Sequence, residues 1–207
     1  MQAAASDPIQ WDEAIAAAFK FSLIERNPDK MLTVHRMVQA VAKSRMSAEE
    51  RAQWAEQVVR AVDAAFPNVE FAVWGKCERL VPSAQVCAVL VDEYRLSFPE
   101  AARLLNDAGV YLKERARYAE AEPLFRKSLA ISEDSYGHDH PEVAIRLNNL
   151  AQLLKSTNRL DEAEPLYRRA VEVWEKALGS EHRDVAAGLN NLARCYTPRT
   201  GWTRQSR

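Results

Sequence analysis

Glycine is scarce in this chain of 207 residues, with six in all and no GxxxxGK[ST] run among them. Without such a loop there is no backbone cradle for a nucleotide's phosphates, and no acidic strand end stands ready to hold magnesium. The chain is therefore not expected to hydrolyse ATP. Cysteine is scarce as well: Cys77, Cys87 and Cys195 are scattered, odd in number and free of any CxxC pairing. That pattern argues against a disulfide framework and a cysteine zinc site, and makes a reducing compartment, the cytoplasm, the expected setting. No stretch approaches the roughly eighteen apolar residues of a membrane span, and the opening "MQAAASDPIQWDEA" has no apolar leader core. Neither charge dominates, since 28 basic residues face 29 acidic ones for a net charge of −1. A nucleic-acid partner, which demands a basic patch, is not expected. What remains is a composition rich in Ala, Leu, Glu and Arg, the helix formers.

The second half obeys a rule. Leu105, Leu147 and Leu189 are evenly spaced, and Asn106, Asn148 and Asn190 repeat the same interval. The tetrapeptide Ala-Glu-Pro-Leu at 121–124 returns at 163–166, Gly137 returns as Gly179, and His140 as His182. Each unit reads as two antiparallel helices, at 98–114 with 118–134 and at 141–156 with 160–178. Leu147, Leu150, Ala151 and Leu154 share one face of a helix by their i, i+3, i+4, i+7 spacing, and Leu166, Ala170, Val173 and Ala177 share one on the next. Small Ala151 and Ala163 fall where two backbones must approach closely. Asn158 fills the turn with a residue that tolerates a left-handed conformation. Pro123 and Pro165 are expected in the first turn of their helices, where amide hydrogens lack intrahelical partners anyway. A helix pair of this kind cannot bury its apolar face alone, so neighbours must stack.

With "LNNLA", "LDEAEPLYRRA" and Gly-Ser-Glu-His before the next helix, residues 98–196 resemble the tetratricopeptide repeat, in the long 42-residue form found in kinesin light chains. The resemblance implies an α-solenoid whose first helices line a concave groove for a protein or peptide ligand. Carried over by position, the groove-facing residues are Asn148, Asn149, Gln152 and Lys155, then Asn190, Asn191 and Arg194, with Asn106, Asp107 and Val110 in the first unit. Carboxamides suit such a task because each offers a donor and an acceptor to a peptide backbone. The other reading of these asparagines is that they are solvated or bridge adjacent helices. His140 and His182, with His138 near the first, invite a metal, but their place just before a helix favours turn capping. No cofactor or metal is expected. Glu162 and Glu164 read as a charged face rather than an acid–base pair, and no nucleophile motif appears.

Residues 1–96 do not follow the rule. A helix from Trp11 runs into a strand at 22–25, "NPDK" turns, "MLTV" forms a second strand, and Val38, Val41 and Met46 mark an amphipathic helix. Ser47 and Glu50 make a capping box opening a long helix whose face carries Trp54, Val58, Val62 and Phe66. "FAVWGKCERLVP" and "SAQVCAVLVDEY" read as two further helices. The expected organisation is a partial winged-helix segment at 1–46, a helical linker at 47–96, the repeats at 97–196 and an irregular tail at 197–207. "FSLIER", "TVHRMVQAVAKSRM", "AAFP" and W-x-x-C-E-R-L-V-P resemble the segment joining ATPase core to repeats in NB-ARC-type STAND NTPases, over about residues 11–91. That resemblance implies a switch whose nucleotide domain stands outside this chain, with His35 its nucleotide-sensing residue in the intact protein. Arg36, in place of an aspartate, and Pro82-Ser83-Ala84, in place of Pro-His-Ala, depart from the pattern. Without a phosphate cradle, His35 reads here as a helix N-terminal histidine with no ligand. The function expected is a non-catalytic interaction module, either the sensor end of such a switch or a freestanding peptide-binding adaptor.

The tail breaks the rule, although Trp202 stands one full repeat interval after Leu160. "GWTRQSR" can be encoded GGC TGG ACG AGG CAG AGC CG, and one frame over, from the last base of the glycine codon, those bases spell Leu-Asp-Glu-Ala-Glu-Pro. The expectation is that residues 197–207 are an out-of-frame reading of the next repeat helix.

Overall fold

The computed structural model describes residues 24–26, 32–34 and 36–196. It divides into two compact units, residues 1–53 and 54–207. In the first, β1 (Ile24–Arg26) pairs antiparallel with β2 (Leu32–Val34), Ile24 opposite Val34 and Arg26 opposite Leu32. Helix α1 (Arg36–Arg45) follows. Its expected apolar stripe is not a buried one throughout, since Val41 is exposed. The capping box forms as read: the Ser47 amide donates to Glu50 Oε2 at 2.8 Å, and the Glu50 amide to Ser47 Oγ at 3.1 Å. Each satisfies a backbone donor that the helix start leaves orphaned. The helix expected from Trp11, the turn at 27–30, His35 and the tail at 197–207 lie outside the described residues.

The boundary between the units falls inside α2 (Ala48–Ala65). In the second unit the buried stripe of α2 is Ala55, Val59 and Asp63, flanked by half-buried Val62 and Phe66. This corrects the expected face: Trp54 is 52% exposed and Val58 is exposed too. The i, i+4 series from Trp54 runs one residue off the contact line, and the small Ala55 lets the helix seat closely. Buried Asp63 takes the guanidinium of Arg103, whose Nε donates to Oδ1 at 3.0 Å while Nη2 holds Oδ2.

A 3₁₀ turn at Phe71–Val73 leads into α3 (Trp74–Tyr94), one helix where two were expected. Pro82 sits inside it and removes the amide that would bond the Glu78 carbonyl. The helix survives because Cys77, Val81, Ala84, Ala88 and Val91 make one buried stripe running past the proline. Pro82 itself is exposed, which leaves that carbonyl on the solvent side. The stripe is apolar on both sides of the break, so packing outweighs the lost bond.

The repeats follow as α4 (Pro99–Glu114), α5 (Tyr118–Tyr136), α6 (Pro141–Ser156), α7 (Leu160–Leu178) and α8 (Arg183–Tyr196). Each hairpin turn passes through a left-handed residue, Ala116 with φ 58° in the first and Asn158 with φ 63° in the second. Gly137 and Gly179, with φ 83° and 88°, end the second helix of each pair, in a conformation that disfavours residues with a Cβ. Pro123 and Pro165 are the sixth residues of α5 and α7, not first-turn residues as expected. Both are exposed, so the carbonyls they orphan, those of Ala119 and Asp161, face water.

Two buried clusters run through the stack, one holding Leu105, Leu112, Phe125, Leu150, Leu154 and Tyr167 and the other Val143, Leu147, Ala170, Trp174 and Val185. The buried line of α7 is Ala163, Tyr167, Ala170 and Trp174, with Val171 and Val173 beside it. The expected line is corrected here: Leu166 is half-buried and Ala177 exposed. Ala170 and Val173 of the expected line are buried, and the rings of Tyr167 and Trp174 complete the packed face of α7.

Tyr167 carries a testable flaw. Its ring is fully buried, but its hydroxyl meets no hydrogen-bond partner among the described residues. Burial pushes its phenol well above the ordinary tyrosine value. Its counterpart in the preceding repeat is Phe125, equally buried and without a hydroxyl to satisfy. Tyr167→Phe is expected to raise stability by about 1 kcal/mol, because an unpaired buried hydroxyl costs free energy that its removal returns. Urea unfolding followed by circular dichroism measures it, and a loss of stability contradicts it.

Candidate ligand-binding face of the repeats

The first helices of successive repeats, α4, α6 and α8, lie side by side and present equivalent positions once per repeat. One such column holds Asn106, Asn148 and Asn190, and the next holds Asp107, Asn149 and Asn191. The structure couples the two columns. Asn149 Nδ2 donates to Asn106 Oδ1 at 2.8 Å, and Asn191 Nδ2 donates to Asn148 Oδ1 at 3.0 Å. Each bond runs from one column to the other in the preceding repeat, so the same carboxamide stitch holds α6 to α4 and α8 to α6. Asn106 is buried, and its own Nδ2 donates to Asp107 Oδ1. Of the two readings of these asparagines, the bridging one describes Asn106, Asn148, Asn149 and Asn191. Asn190 is exposed, and Asn148, Asn149 and Asn191 are each half-buried.

Further along these helices the remaining residues converge. Gln152, Lys155, Asn191 and Arg194 line one hollow of about 400 Å³ together with Lys113, Glu114, Tyr118 and Ser156. All three first helices contribute, each from its C-terminal half, and Tyr118 comes from the start of α5. Val110, which shares a column with Gln152 and Arg194, is half-buried and packs against the core. Lys113 was not among the residues expected here, although it is the counterpart of Lys155 in the preceding repeat and so was legible. Its Nζ donates to Gln152 Oε1 at 2.9 Å and lies 3.3 Å from Glu114.

The hollow is basic. Lys113, Lys155 and Arg194 supply three cations against the single carboxylate of Glu114. Lys155 has no carboxylate partner among the described residues. Burial, together with the Arg194 charge beside it, pushes its ammonium below the ordinary lysine value. A partly buried ammonium beside an exposed guanidinium of like charge forms a place where an anion is welcome.

The histidines before the helices act as caps. His140 Nδ1 accepts the Glu142 amide at 3.2 Å, and His182 Nδ1 accepts that of Asp184 at 3.2 Å. The His140 ring also stacks on Tyr136, centroids 4.4 Å apart. Glu162 pairs with Arg159 at 2.7 Å, and Glu164 with Arg168 at 2.9 Å, as parts of a charged face.

Stacked helix hairpins of constant length, joined through left-handed turns and stitched along their first helices, define an α-solenoid repeat protein. The tetratricopeptide repeat family model matches residues 100–173 and 154–201, and the chain carries tetratricopeptide repeats. Such repeats form a non-catalytic scaffold and generally bind protein or peptide partners. A second family, a domain of unknown function (DUF7779), matches residues 2–51. No curated protein matches the chain.

Among solved structures, the nearly identical TPR-like repeats of a Podosopora anserina protein described as a kinesin light chain are similar at 19% identity and a TM-score of 0.51. That match covers 72% of this chain and 64% of the other. A point variant of the same protein matches at 20% identity and a TM-score of 0.51, over 73% and 68%. BtubC (BKLC) from P. vanneervenii matches at 20% identity and a TM-score of 0.46, over 73% and 66%. The chain thus spans less than two thirds of the first of these. No helix among the described residues is long and apolar enough to cross a membrane.

Proposed function

We propose that the face of α4, α6 and α8 is a groove for an extended peptide, and that the basic hollow at its end takes an acidic side chain or terminal carboxylate of that peptide. The observation that carries this is Lys155: partly buried, beside Arg194, and without a carboxylate partner among the described residues. The half-buried asparagines keep amide atoms beyond those used in the stitch, which suit a peptide backbone. The test is calorimetric titration of the chain with extended peptides of matched length, one ending in two glutamates and one with glutamine in their place. Saturable binding of the acidic peptide, at least tenfold tighter than the neutral one, supports the reading. Equal affinities, or none, overturn it.

Within that reading the chain serves as the sensor and scaffold part of a STAND-type signalling switch, its nucleotide domain on a segment outside this sequence. The motifs of residues 11–91 and the β1–β2 pair ahead of α1 support this. His35 would sense the nucleotide only in such an intact protein. Coding DNA upstream that lacks a GxxxxGK[ST] loop in frame would count against it. The basic hollow favours a second reading, a freestanding cytoplasmic adaptor, because that site needs no ATPase to bind its ligand. In either case the isolated chain is expected to show no stoichiometric ATP binding by calorimetry.

A further inference from the structure

Lysine recurs with the repeat at the basic hollow, but the arginine at 194 does not. Lys113 on α4 and Lys155 on α6 hold the same place in successive repeats, whereas the counterparts of Arg194 are Val110 and Gln152. Helix α8 thus adds a cation that the rule does not call for, and adds it where both lysines already stand. The setting is not an open charged surface. The Lys113 side chain is only 14% exposed, and its ammonium is held by Gln152 Oε1 at 2.9 Å and Glu114 at 3.3 Å. An ammonium has three hydrogens, so one is left for a ligand. Gln152 receives that bond through its carbonyl oxygen, which turns its amide nitrogen, a donor, away from Lys113. Lys155 is half-buried.

The count of charges chooses among anions. Three cations against the single carboxylate of Glu114 leave two positive charges in the hollow. A glutamate side chain or a chain terminus brings one negative charge and two oxygens in a plane. A phosphate monoester brings close to two charges and three strong acceptor oxygens, arranged as a tripod. The cations come from three helices, α4, α6 and α8, and so approach from three directions, one for each oxygen. A planar carboxylate leaves one of them unanswered, and an uncompensated charge in partial burial is costly. A phosphodiester, as in a nucleic-acid backbone, carries a single charge and serves no better. Residues 197–207 carry Arg199, Arg204 and Arg207 and no acidic side chain, so that stretch brings the hollow no side-chain anion.

We infer that the hollow is built for a phosphate monoester, and that the ligand of the groove is a peptide bearing a phosphorylated side chain. This rests on the peptide-groove reading and narrows it, since an unmodified acidic residue becomes the weaker of two occupants. Burial and the neighbouring Arg194 charge already hold the Lys155 ammonium below its ordinary value, and a dianion relieves that strain more fully than a single charge.

The probes are three peptides of one extended sequence, with serine, glutamate or phosphoserine at the same central position, and inorganic phosphate alone. Each is titrated calorimetrically into the full chain. The phosphoserine peptide is expected to bind at least tenfold more tightly than the glutamate peptide, and the glutamate peptide more tightly than the serine one. As pH falls from about 7.5 to about 5.5, through the phosphate's second pKa of about 6, the phosphopeptide should lose most of that advantage. The glutamate peptide, a carboxylate throughout this range, controls for changes in the protein itself. Arg194→Gln, at an exposed position that folding tolerates, and Lys113→Gln should each shrink the phosphoserine-to-glutamate ratio at least threefold. A phosphopeptide no tighter than the glutamate peptide, with glutamate still above serine, overturns this inference and leaves the groove reading standing. Equal affinities for all three, or none, overturn both. Inorganic phosphate binding as tightly as the phosphopeptide also overturns the inference, because the anion then owes nothing to a peptide in the groove.

Discussion

Phe125→Ala is expected to lower the unfolding free energy by about 3–5 kcal/mol, the range for removing a fully buried aromatic ring. The ring has no solvent exposure and lies against Gly109, where an added Cβ would meet its Cε1 at 2.9 Å and its Cδ1 at 3.0 Å. The backbone of α4 thus approaches the ring directly, and alanine at 125 would leave a void walled by backbone that cannot easily collapse. Because each repeat touches mainly its neighbours, the loss should spread to the hairpins on either side. Gly109→Ala probes the same contact from the other wall and should cost about 1–3 kcal/mol by overpacking. Urea unfolding by circular dichroism measures both. A shift for Phe125→Ala under about 1 kcal/mol, the usual cost of a mild core change, contradicts this packing.

Much of the repeat was legible in the sequence because a strict repeat identity constrains every position at once. The bounds of α6 and α7 fall at 141–156 and 160–178 as read, and those of α4 and α5 lie close to expectation. Asn158 declared the turn by its tolerance of positive φ. The left-handed Ala116 at the equivalent place could be inferred only from the repeat, since nothing in alanine announces it. Where no repeat guided the reading, local rules misled. Pro82 argued for a break in α3, but the apolar stripe from Cys77 to Val91 is a tertiary fact that a local rule cannot weigh. On α2 Trp54 and Val58, the start of the i, i+4 series, mark the wrong face, and Ala55 and Val59, each one residue on, mark the packed one.

The candidate site was legible in the same uneven way. The resemblance implied Gln152, Lys155, Asn191 and Arg194 as groove residues, and these four line one hollow. That the asparagines stitch one helix to the next was one of two open readings, because sequence spacing does not distinguish a side chain aimed at a ligand from one aimed at a neighbour. Lys113 was missed because it stands beyond the asparagine columns, and only its counterpart Lys155 points back to it. That Leu147 is buried on α6 while Leu189 is exposed on α8 was not legible in the sequence, since the two are the same residue in the same motif.

Lys155→Glu combined with Arg194→Glu is expected to weaken binding of an acidic peptide at least a hundredfold. At about 1.4 kcal/mol per tenfold, that loss corresponds to about 2.8 kcal/mol. Two attractions become two repulsions in a partly buried hollow that already holds Glu114, and screening there is weaker than at an open surface. The sign of the pH dependence follows from Lys155. Its ammonium is held below the ordinary lysine value by burial and by Arg194, and a bound carboxylate raises it again. Binding therefore takes up protons in the alkaline range, and affinity falls as pH rises through the lowered value, earlier than an ordinary lysine would dictate. The opposite sign holds for folding. The unfolded chain binds this proton more tightly than the folded one, so the destabilising contribution of Lys155 is present at neutral pH and relieved as pH climbs. Lys155→Met should accordingly raise stability slightly while weakening the acidic peptide and flattening the alkaline fall in affinity. Titrations at several pH values, beside urea unfolding of the same variants, read all three effects. A lysine kept for packing alone would lose stability in Lys155→Met and leave the pH profile of binding where it was.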